Sequence, residues 1–485
     1  MPDLALRGLS VVTGGRTLVR DVDLDVAAGE RVLLTGPSGA GKSTVLRALA
    51  GLLEDHLEAT GDVRLDGRAP VPGQIGLLVQ DPLDAVVAEA AGRDTAFGPE
   101  NSGLDRVRTW QLVARAHAAA RYSAGRDREV VTLSGGERQR LALAGTLAAD
   151  PAVLLLDEPT SMLDAPTAAA VRAAVLDAAR GRSLVVVDHD LAGWGAHVDR
   201  VVVLGRDGRV AADGPADRVL VPGSATEGLW LPGVPDPQPL PVPAGLLAPQ
   251  WRVDGDLLQG EGMGLVRRRR GLRPRPPATV LRAVDVTVRA GRVTPVTGDS
   301  GAGKSSLLAV LAGLARPTSG RLLAAAGLAA DGRREPHRWR SRDLAARTGW
   351  VPQFPEHTFL AHTVREEAAA TAAVLGRDTD RAGRLLELLG LADRAEVNPF
   401  QLSGGEQRRL ALAGALAAGP AVVLADEPTV GQDRGTWAVV AGLLQAAARD
   451  GAGVVLSSHD SRLLDAIGGD GGVHLEAGTL REVAA

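Results

Sequence analysis

GPSGAGKST at Gly36–Thr44 and GDSGAGKSS at Gly298–Ser306 share the pattern G-x-x-x-x-G-K-[ST]. Each stretch follows a short β-rich run and precedes an apolar stretch with helical periodicity. In this context the glycines allow successive backbone N–H groups to point at phosphate oxygens, at a helix N-terminus whose dipole favours anions. Both stretches are therefore predicted to be phosphate-binding loops.

The lysine of each loop and the hydroxyl residue after it carry the chemistry. Lys42 and Lys304 are expected to reach the β- and γ-phosphates, and Ser43 and Ser305 to hold Mg²⁺. The chain has 54 Lys and Arg residues and uses lysine at these two positions alone, so both positions require an ammonium group. The residues predicted to bind nucleotide through the loops are Gly36, Pro37, Ser38, Gly39, Ala40, Gly41, Lys42, Ser43 and Thr44 in the first half and Gly298, Asp299, Ser300, Gly301, Ala302, Gly303, Lys304, Ser305 and Ser306 in the second.

The chain is an internal duplication, because other motifs recur in the same order. LSGGERQRLALAGTLAADPAVLLLDEPT starts at Leu133 and LSGGEQRRLALAGALAAGPAVVLADEPT at Leu402, and VVVDHD and VLSSHD follow later in each half. Residues 220–251 hold eight prolines, which favours an extended spacer. We predict a first domain over 1–219, a Pro-rich linker over 220–251 and a second domain over 252–485.

Composition excludes several classes of protein. The net charge of −4 argues against a generally basic nucleic-acid binder, and we expect no nucleic-acid partner. Cysteine is absent, which excludes disulfides and Cys-ligated metal sites.

We predict an exposed Arg-rich loop for RRRRGLRPRPP at 267–277. The N-terminal residues lack the apolar core of a signal peptide, and no uncharged apolar run reaches membrane-spanning length. Any membrane part must then come from another subunit.

Two apolar strands end in carboxylate pairs. AVLLLDE ends in Asp157 and Glu158, and AVVLADE ends in Asp426 and Glu427. A carboxylate at such a strand end can bind Mg²⁺ through water, and its neighbour can polarise an attacking water. Repeated strand–helix units with chemistry at the strand ends predict an α/β fold with a mainly parallel sheet.

The chain resembles the ATP-binding-cassette (ABC) ATPases, since LSGGE, the signature of that family, occurs twice before a DE pair. The resemblance implies two nucleotide-binding domains, each with a mainly parallel sheet core, a helical subdomain and an antiparallel β subdomain. It implies ATP hydrolysis with Mg²⁺, and D-loops that close at Asp164 and Asp433. The catalytic residues it implies are Glu158, Glu427, the switch histidines His189 and His459, and the Q-loop glutamines Gln80 and Gln353; the metal-binding residues are Ser43, Gln80, Asp157, Ser305, Gln353 and Asp426.

In this family each ATP is held between the phosphate loop of one cassette and the LSGGE segment of the other. The resemblance therefore implies two composite sites within an intramolecular cassette dimer. The signature residues that would complete them are Ser134, Gly135 and Gly136 in the first half and Ser403, Gly404 and Gly405 in the second.

A narrower resemblance follows each Q-loop glutamine. QDPLDAVVAEAAGRDTAFGPENSGL starts at Gln80 and QFPEHTFLAHTVREEAA at Gln353, and both look like the ATPase pair of energy-coupling factor (ECF) transporters. The match is good at Phe97-Gly98-Pro99-Glu100-Asn101 and weaker at Ala85, where the family usually has Gln. It implies a peripheral ATPase at the cytoplasmic face of the cell membrane, with a membrane T component and a substrate-binding S component for vitamins, vitamin precursors or transition-metal ions.

Two other classes of cassette protein stay open at this point. A tandem ATPase of a sugar importer has a similar length but would not be expected to carry AFGPEN. A soluble translation factor of the ABC-F type would be expected to have a charged helical linker and NHLD, where this chain has a Pro-rich linker, SMLD and VGQD.

The first half lacks an aromatic residue for stacking on the base. Residues 1–96 contain no Phe, Trp or Tyr, and the position that would carry the ring in this family falls near Val12. The corresponding stretch of the second half, LVRRRRG, offers arginine instead. We therefore predict weak discrimination between ATP and GTP, because contacts to phosphate and Mg²⁺ do not distinguish the bases.

Overall fold

The computed structural model describes residues 3–14, 16–161, 163–223, 226–267, 277–468 and 472–481. The chain divides into two compact units, unit 1 (Met1–Pro235) and unit 2 (Asp236–Ala485). Most of the predicted Arg-rich loop, residues 268–276, lies outside the described residues. None of the described helices is both long enough and apolar enough to cross a membrane.

Unit 1 alternates strands and helices along the chain. Its strands are β1 (Leu4–Thr13), β2 (Arg16–Val26), β3 (Arg31–Thr35), β4 (Glu58–Leu65), β5 (Ile75–Leu78), β6 (Val153–Asp157), β7 (Ser183–Val187), β8 (Arg200–Leu204) and β9 (Val210–Gly214). Its α-helices are α1 (Lys42–Ala50), α2 (Ala91–Asn101), α3 (Arg106–Ala119), α4 (Gly135–Ala148), α5 (Ala165–Ala178), α6 (Leu191–Gly195) and α7 (Ala216–Val219).

Two sheets organise unit 1. The central sheet has the order β5-β6-β7-β3-β8-β9 and is parallel except for β9. Its strands are buried on both faces, with Leu154 and Leu156 on one side and Val153 and Leu155 on the other. A smaller antiparallel sheet, β2-β1-β4, covers the α1 side. Helices α2, α3 and α4 pack on one another as a helical subdomain.

Unit 2 repeats most of this order of elements. Its strands are β10 (Asp256–Arg267), β11 (Ala278–Arg289), β12 (Val293–Thr297), β13 (Ser319–Ala324), β14 (Thr348–Val351), β15 (Val422–Asp426), β16 (Gly453–Ser457), β17 (Val473–Glu476) and β18 (Thr479–Arg481). Its α-helices are α8 (Lys304–Leu311), α9 (Ser341–Arg347), α10 (Val364–Val374), α11 (Asp380–Leu388), α12 (Gly404–Ala417), α13 (Arg434–Arg449) and α14 (Ser461–Ile467). Helix α9 is added between β13 and β14.

The sheets of unit 2 match those of unit 1. The central order is β14-β15-β16-β12-β17-β18, parallel except for β18, and the small antiparallel sheet is β11-β10-β13. The predicted α/β class is confirmed, as are the parallel core, the antiparallel sheet and the helical subdomain in each half. In a parallel sheet all carboxyl ends lie at one edge, so the strand-end carboxylates of each unit come close to its phosphate loop.

The Pro-rich segment 220–251 is divided between the units. Leu229 and Leu231 belong to the core of unit 1. Residues 240–250, which we call the strap, lie on unit 2, where the Leu240 N–H donates to the carbonyl of Ala438 on α13. Gly442 is required beneath it, because a Cβ there would lie 2.1 Å from the carbonyl oxygen of Leu240.

Candidate functional site

The phosphate-binding loop of unit 1 connects β3 to α1, and that of unit 2 connects β12 to α8. Each loop begins with a glycine at a close backbone approach. A Cβ on Gly36 would lie 2.4 Å from the carbonyl oxygen of Leu204, and one on Gly298 would lie 2.1 Å from that of Leu475. Strand β8 or β17 therefore fixes where each loop starts, which explains the glycine at this position of the motif.

Both lysines fold back over their own loops. Lys42 Nζ donates to the carbonyl oxygens of Gly36 at 2.9 Å and Pro37 at 3.0 Å. Lys304 Nζ makes the same two contacts in unit 2, at 2.7 and 3.1 Å. Each ammonium group is thus held at the concave side of the loop, in a position suited to an anionic phosphate.

The residues of unit 1 fit a hydrated magnesium ion. Asp157 ends β6 and is 5% exposed, with the Ser43 hydroxyl hydrogen-bonded to it. Its Oδ1 is buried and has no hydrogen-bond partner among the described residues, which suits a carboxylate that binds a metal through water. Burial and the neighbouring Glu158 raise the pKa of Asp157 to about 6. A bound cation would favour the ionised form.

Unit 2 differs at this carboxylate. Asp426 ends β15, and its Oδ1 accepts a hydrogen bond from the hydroxyl of Ser457. The residue that pairs with Asp157 in unit 1 is Val187, which has no hydroxyl. The two strand-end aspartates therefore lie in different surroundings, although the motifs that contain them match.

The glutamates after these aspartates adopt a strained backbone. Glu158 has φ of 47° and Glu427 has φ of 51°, in the left-handed region that residues with a Cβ rarely enter. Both side chains are nearly buried, at 7% and 6% exposed. Burial raises the pKa of Glu427 to about 7. Such strain is held at functional sites by the surrounding structure, and here it occurs at the same place in both units.

Other predicted residues converge on these glutamates. In unit 1, Gln80 Nε2 donates to Glu158 Oε2 at 2.8 Å, and His189 Nε2 lies 3.2 Å from Glu158 Oε1. In unit 2, His459 Nε2 lies 3.5 Å from Glu427 Oε1 and 2.8 Å from Lys304 Nζ. Gln353 lies two residues beyond β14, as Gln80 does beyond β5.

The LSGGE segments begin the helices α4 and α12. Ser134 and Ser403 are the N-cap residues, and each forms a capping box with the glutamate three residues later, Glu137 or Glu406. Neither serine hydrogen-bonds to the phosphate loop of its own unit in the part of the chain that the structure describes. Gly135, Gly136, Gly404 and Gly405 form the first turns of these helices, where free N–H groups favour an anion.

The residues that close the two D-loops are also N-caps. Asp164 accepts a hydrogen bond from the Thr167 N–H at the start of α5, and Asp433 accepts one from the Thr436 N–H at the start of α13. Both bonds are 2.8 Å long. Each D-loop is thus fixed to the first turn of the following helix.

The positions expected to meet the nucleobase carry no ring. Val12 is half-buried near the end of β1. In unit 2, Arg267 ends β10 and donates from Nη2 to the Ser306 hydroxyl at 3.2 Å, which places its guanidinium beside the first turn of α8. The other arginines of LVRRRRG, 268–270, lie outside the described residues.

Sequence reasoning missed the polar residues that flank the histidines. Asp188, which precedes His189, is 3% exposed and accepts a hydrogen bond of 2.6 Å from Thr160. Thr160 is the threonine of the DEPT motif, which occurs in both halves. A threonine two residues after the glutamate in both halves is a signal in the sequence, but its partner could be identified only from the fold.

Comparison with known proteins agrees with this geometry. The ABC transporter family model matches residues 19–161 and 281–430. A protein of Streptomyces coelicolor, provisionally named an ABC transporter ATP-binding protein, is 35% identical over 94% of this chain and 89% of its own length. A Bacillus subtilis protein, provisionally named the HMP/thiamine import ATP-binding protein YkoD, is 30% identical over 93% of this chain and 85% of its own.

A solved structure is also similar. CbiO1 of Clostridium perfringens, part of the ABC transporter complex CbiONQ, is 25% identical, with a TM-score of 0.40 over 44% of this chain and 89% of that one. ABC ATPases work with transmembrane permease subunits. The duplicated family match and the near full-length relatives show that the chain belongs to the ABC transporter family, as an ATPase with two cassettes that binds ATP with Mg²⁺ and couples its hydrolysis to transport.

Proposed function

We propose that the chain is the energy-coupling subunit of an ECF-type importer, with a membrane T component and a substrate-binding S component as partners. The chain would be a peripheral protein, bound at the cytoplasmic face of the membrane. The transported solute would be a vitamin or vitamin precursor, as the name of the Bacillus subtilis relative suggests, or a transition-metal ion. The ECF-like segments after Gln80 and Gln353 support the proposal.

The observation that carries the proposal is a groove in unit 1 beside the AFGPEN helix, α2. The groove has a volume of about 230 Å³ and is lined mainly by residues of β5, the Q-loop segment, α2 and α4, including Leu77, Val86 and Leu141. Phe97 and Val87, which also line it, are 48% and 53% exposed. A groove lined mostly by apolar residues, with Asp94, Thr95, Arg138 and Thr146 as its polar members, fits an amphipathic helix of a partner protein.

The Q-loop segments of both units are held in shape by the same type of hydrogen bond, from backbone N–H groups to a carboxylate. Asp94 on α2 accepts hydrogen bonds from the N–H groups of Val87 and Ala88. Glu367 on α10 accepts them from Leu360 and Ala361 in unit 2. The segment is thus fixed to the helical subdomain, so that movement of one would be passed to the other. We propose that 81–101 and 354–367 contact the membrane partners.

The roles of the site residues are part of this proposal. Glu158 and Glu427 would accept a proton from the attacking water. His189 and His459, beside them, would contact the γ-phosphate. Lys42 would neutralise phosphate charge, as would its counterpart in unit 2. Ser43, Gln80 and Asp157 would hold Mg²⁺ in unit 1, and Ser305, Gln353 and Asp426 in unit 2; the bound ion would offset charge that develops on the phosphates.

Uptake assays test the proposal. The chain would be co-expressed with candidate T and S components, and uptake of labelled thiamine, its pyrimidine precursor and Co²⁺ would be measured. Phe97→Asp places a charge in the groove and should abolish uptake. Leu52→Asp, at a position of unit 1 that is 60% exposed and outside the groove, should leave uptake intact.

The result also separates this proposal from a sugar importer. Uptake of a sugar by the complex, with no uptake of vitamins or metal ions, would contradict it. Equal uptake by the Phe97→Asp chain and the unchanged chain would place the interface elsewhere.

A further inference from the structure

The loop that carries the histidine is tied to the catalytic carboxylate region in both units. In unit 1, the carboxylate oxygen Oδ2 of Asp188 accepts hydrogen bonds from Thr160 Oγ1 at 2.6 Å and from Trp194 Nε1 at 3.0 Å. Its Oδ1 accepts one from the Asp190 N–H at 2.9 Å. Thr160 lies two residues after Glu158, and Asp188 directly precedes His189. Three donors, one of them from the residue that follows His189, thus meet at the Asp188 carboxylate.

Unit 2 contains the same set of groups with different residues. The Asp460 Oδ2 accepts hydrogen bonds from Thr429 Oγ1 at 3.2 Å and from Trp437 Nε1 at 2.6 Å. Here the carboxylate follows His459 instead of preceding it, and the tryptophan comes from α13, whereas that of unit 1 comes from α6. The residue that precedes His459 is Ser458, whose hydroxyl accepts a hydrogen bond from the Asp460 N–H at 3.0 Å.

The residues at the aligned sequence positions, Asp190 and Ser458, do not take part in this arrangement through their side chains. Asp190, which follows His189, accepts hydrogen bonds from Arg172 at 2.7 Å and from the Gly193 N–H at 2.8 Å, and none from Thr160. The two halves therefore reach the same arrangement of threonine, carboxylate and indole by different substitutions. This recurrence points to a requirement of the site.

In unit 1 the arrangement is buried, which is costly, whereas Asp460 of unit 2 is half-buried. Asp188 is 3% exposed, and Thr160 and Trp194 are 7% and 0% exposed. Burial raises the pKa of the Asp188 carboxyl. A buried carboxylate is kept only when hydrogen bonds satisfy it, and removing it would leave two buried donors without a partner.

We propose that Asp188 in unit 1 and Asp460 in unit 2 are positioning residues, which hold His189 and His459 against Glu158 and Glu427 by fixing the histidine loop to Thr160 and Thr429. The proposal rests on the site roles proposed above for the histidines and glutamates. Misplacing a catalytic group by about 1 Å can lower the rate by about 100-fold, so this restraint should affect kcat.

Substitutions at four positions, the two neighbours of each histidine, test this assignment in the full chain. Asp188→Ser should lower kcat for ATP at least about tenfold, with KM changed by less than about threefold, since the serine can still accept the Asp190 N–H but cannot reach the two side-chain donors. Asp460→Ser should do the same. The matched controls, Asp190→Ser and Ser458→Ala, should change kcat by less than about twofold.

If function followed the sequence alignment of the two halves, Asp188 and Ser458 would be equally sensitive to substitution, and so would Asp190 and Asp460, because the alignment pairs them in this way. Equal sensitivity of the aligned positions would therefore overturn the proposal. So would a loss of activity that is explained entirely by a lower Tm, measured on the same samples by thermal unfolding.

A double-mutant cycle separates positioning from general damage. If Asp188 acts through His189, Asp188→Ser should cause little further loss in a His189→Ala chain, measured by single-turnover hydrolysis with the protein in excess over labelled ATP. Additive losses would contradict the proposal. Hydrolysis at an undiminished rate by Glu158→Gln and Glu427→Gln together would instead show that the site roles are wrong.

Discussion

Gln80 Nε2 and Glu158 Oε2 are joined by a hydrogen bond of 2.8 Å, which links the Q-loop segment to the glutamate at the end of β6. In unit 1 this bond connects the edge of the proposed partner groove to the proposed catalytic base. A movement of the residues that line the groove can therefore reach the glutamate through a single side chain.

Gln80→Ala should lower the rate increase that the membrane partners cause more than it lowers nucleotide affinity. ATPase assays with and without those partners measure the rate increase.

The two glutamates can be tested by removing their charge. The double variant Glu158→Gln and Glu427→Gln should bind ATP normally and release phosphate at less than about one hundredth of the wild-type rate, because no carboxylate remains to accept the proton of the attacking water. Steady-state phosphate release and equilibrium binding of labelled ATP measure the two effects. Glu387→Gln, an exposed glutamate on α11, serves as the control.

The raised pKa of Glu427, at about 7, predicts how stability depends on pH. An unfolded glutamate titrates near 4.5, so the folded chain binds more protons between pH 4.5 and 7. Its free energy of unfolding should therefore fall as the pH rises through that window, by about 3 kcal/mol from this group. Glu427→Gln should raise Tm at pH 8 but not at pH 4.5, in nucleotide-free protein. An equal change in Tm at both pH values would contradict the assignment.

Nucleobase selectivity should be weak. With Val12 expected near the base in unit 1 and an arginine of LVRRRRG in unit 2, we expect aromatic stacking worth roughly 1–3 kcal/mol to be missing. Competition between labelled ATP and GTP should show less than about a thirtyfold preference for ATP. Arg267→Ala should weaken binding of both nucleotides in similar proportion. A larger preference for ATP would mean that another side chain contacts the base.

The strap offers a test of the fold. Gly442→Ala brings a Cβ to within 2.1 Å of the Leu240 carbonyl oxygen and should lower Tm by displacing the strap from α13. Gly383→Ala on α11 is the matched control, because nothing lies within 4 Å of the added Cβ and alanine favours the helix. Limited proteolysis should cut within 240–250 only in the Gly442→Ala chain. Cleavage at the same rate in both variants would show that the strap is not held by this contact.

The sequence predicted the features that depend on local pattern. The phosphate loops, the strand-end carboxylates and the parallel sheets follow from spacing and hydrophobic runs, and the structure has all three. The Asp188–Trp194 and Asp460–Trp437 pairs could not be found in this way, because the tryptophans occupy positions that do not align between the halves. The position of the strap could not be predicted either, because prolines indicate an extended chain but do not indicate the helix on which it lies.

The left-handed backbone at Glu158 and Glu427 has a consequence for engineering. A residue with a Cβ in this conformation costs on the order of 1 kcal/mol, and glycine or asparagine would relieve much of that cost. A screen that selects for heat resistance should therefore favour variants in which either glutamate is replaced. Such variants should have a higher Tm and no ATPase activity. For this protein thermostability would be a misleading guide to a working enzyme, because the two proposed catalytic bases are among the nine described residues other than glycine that have a positive φ.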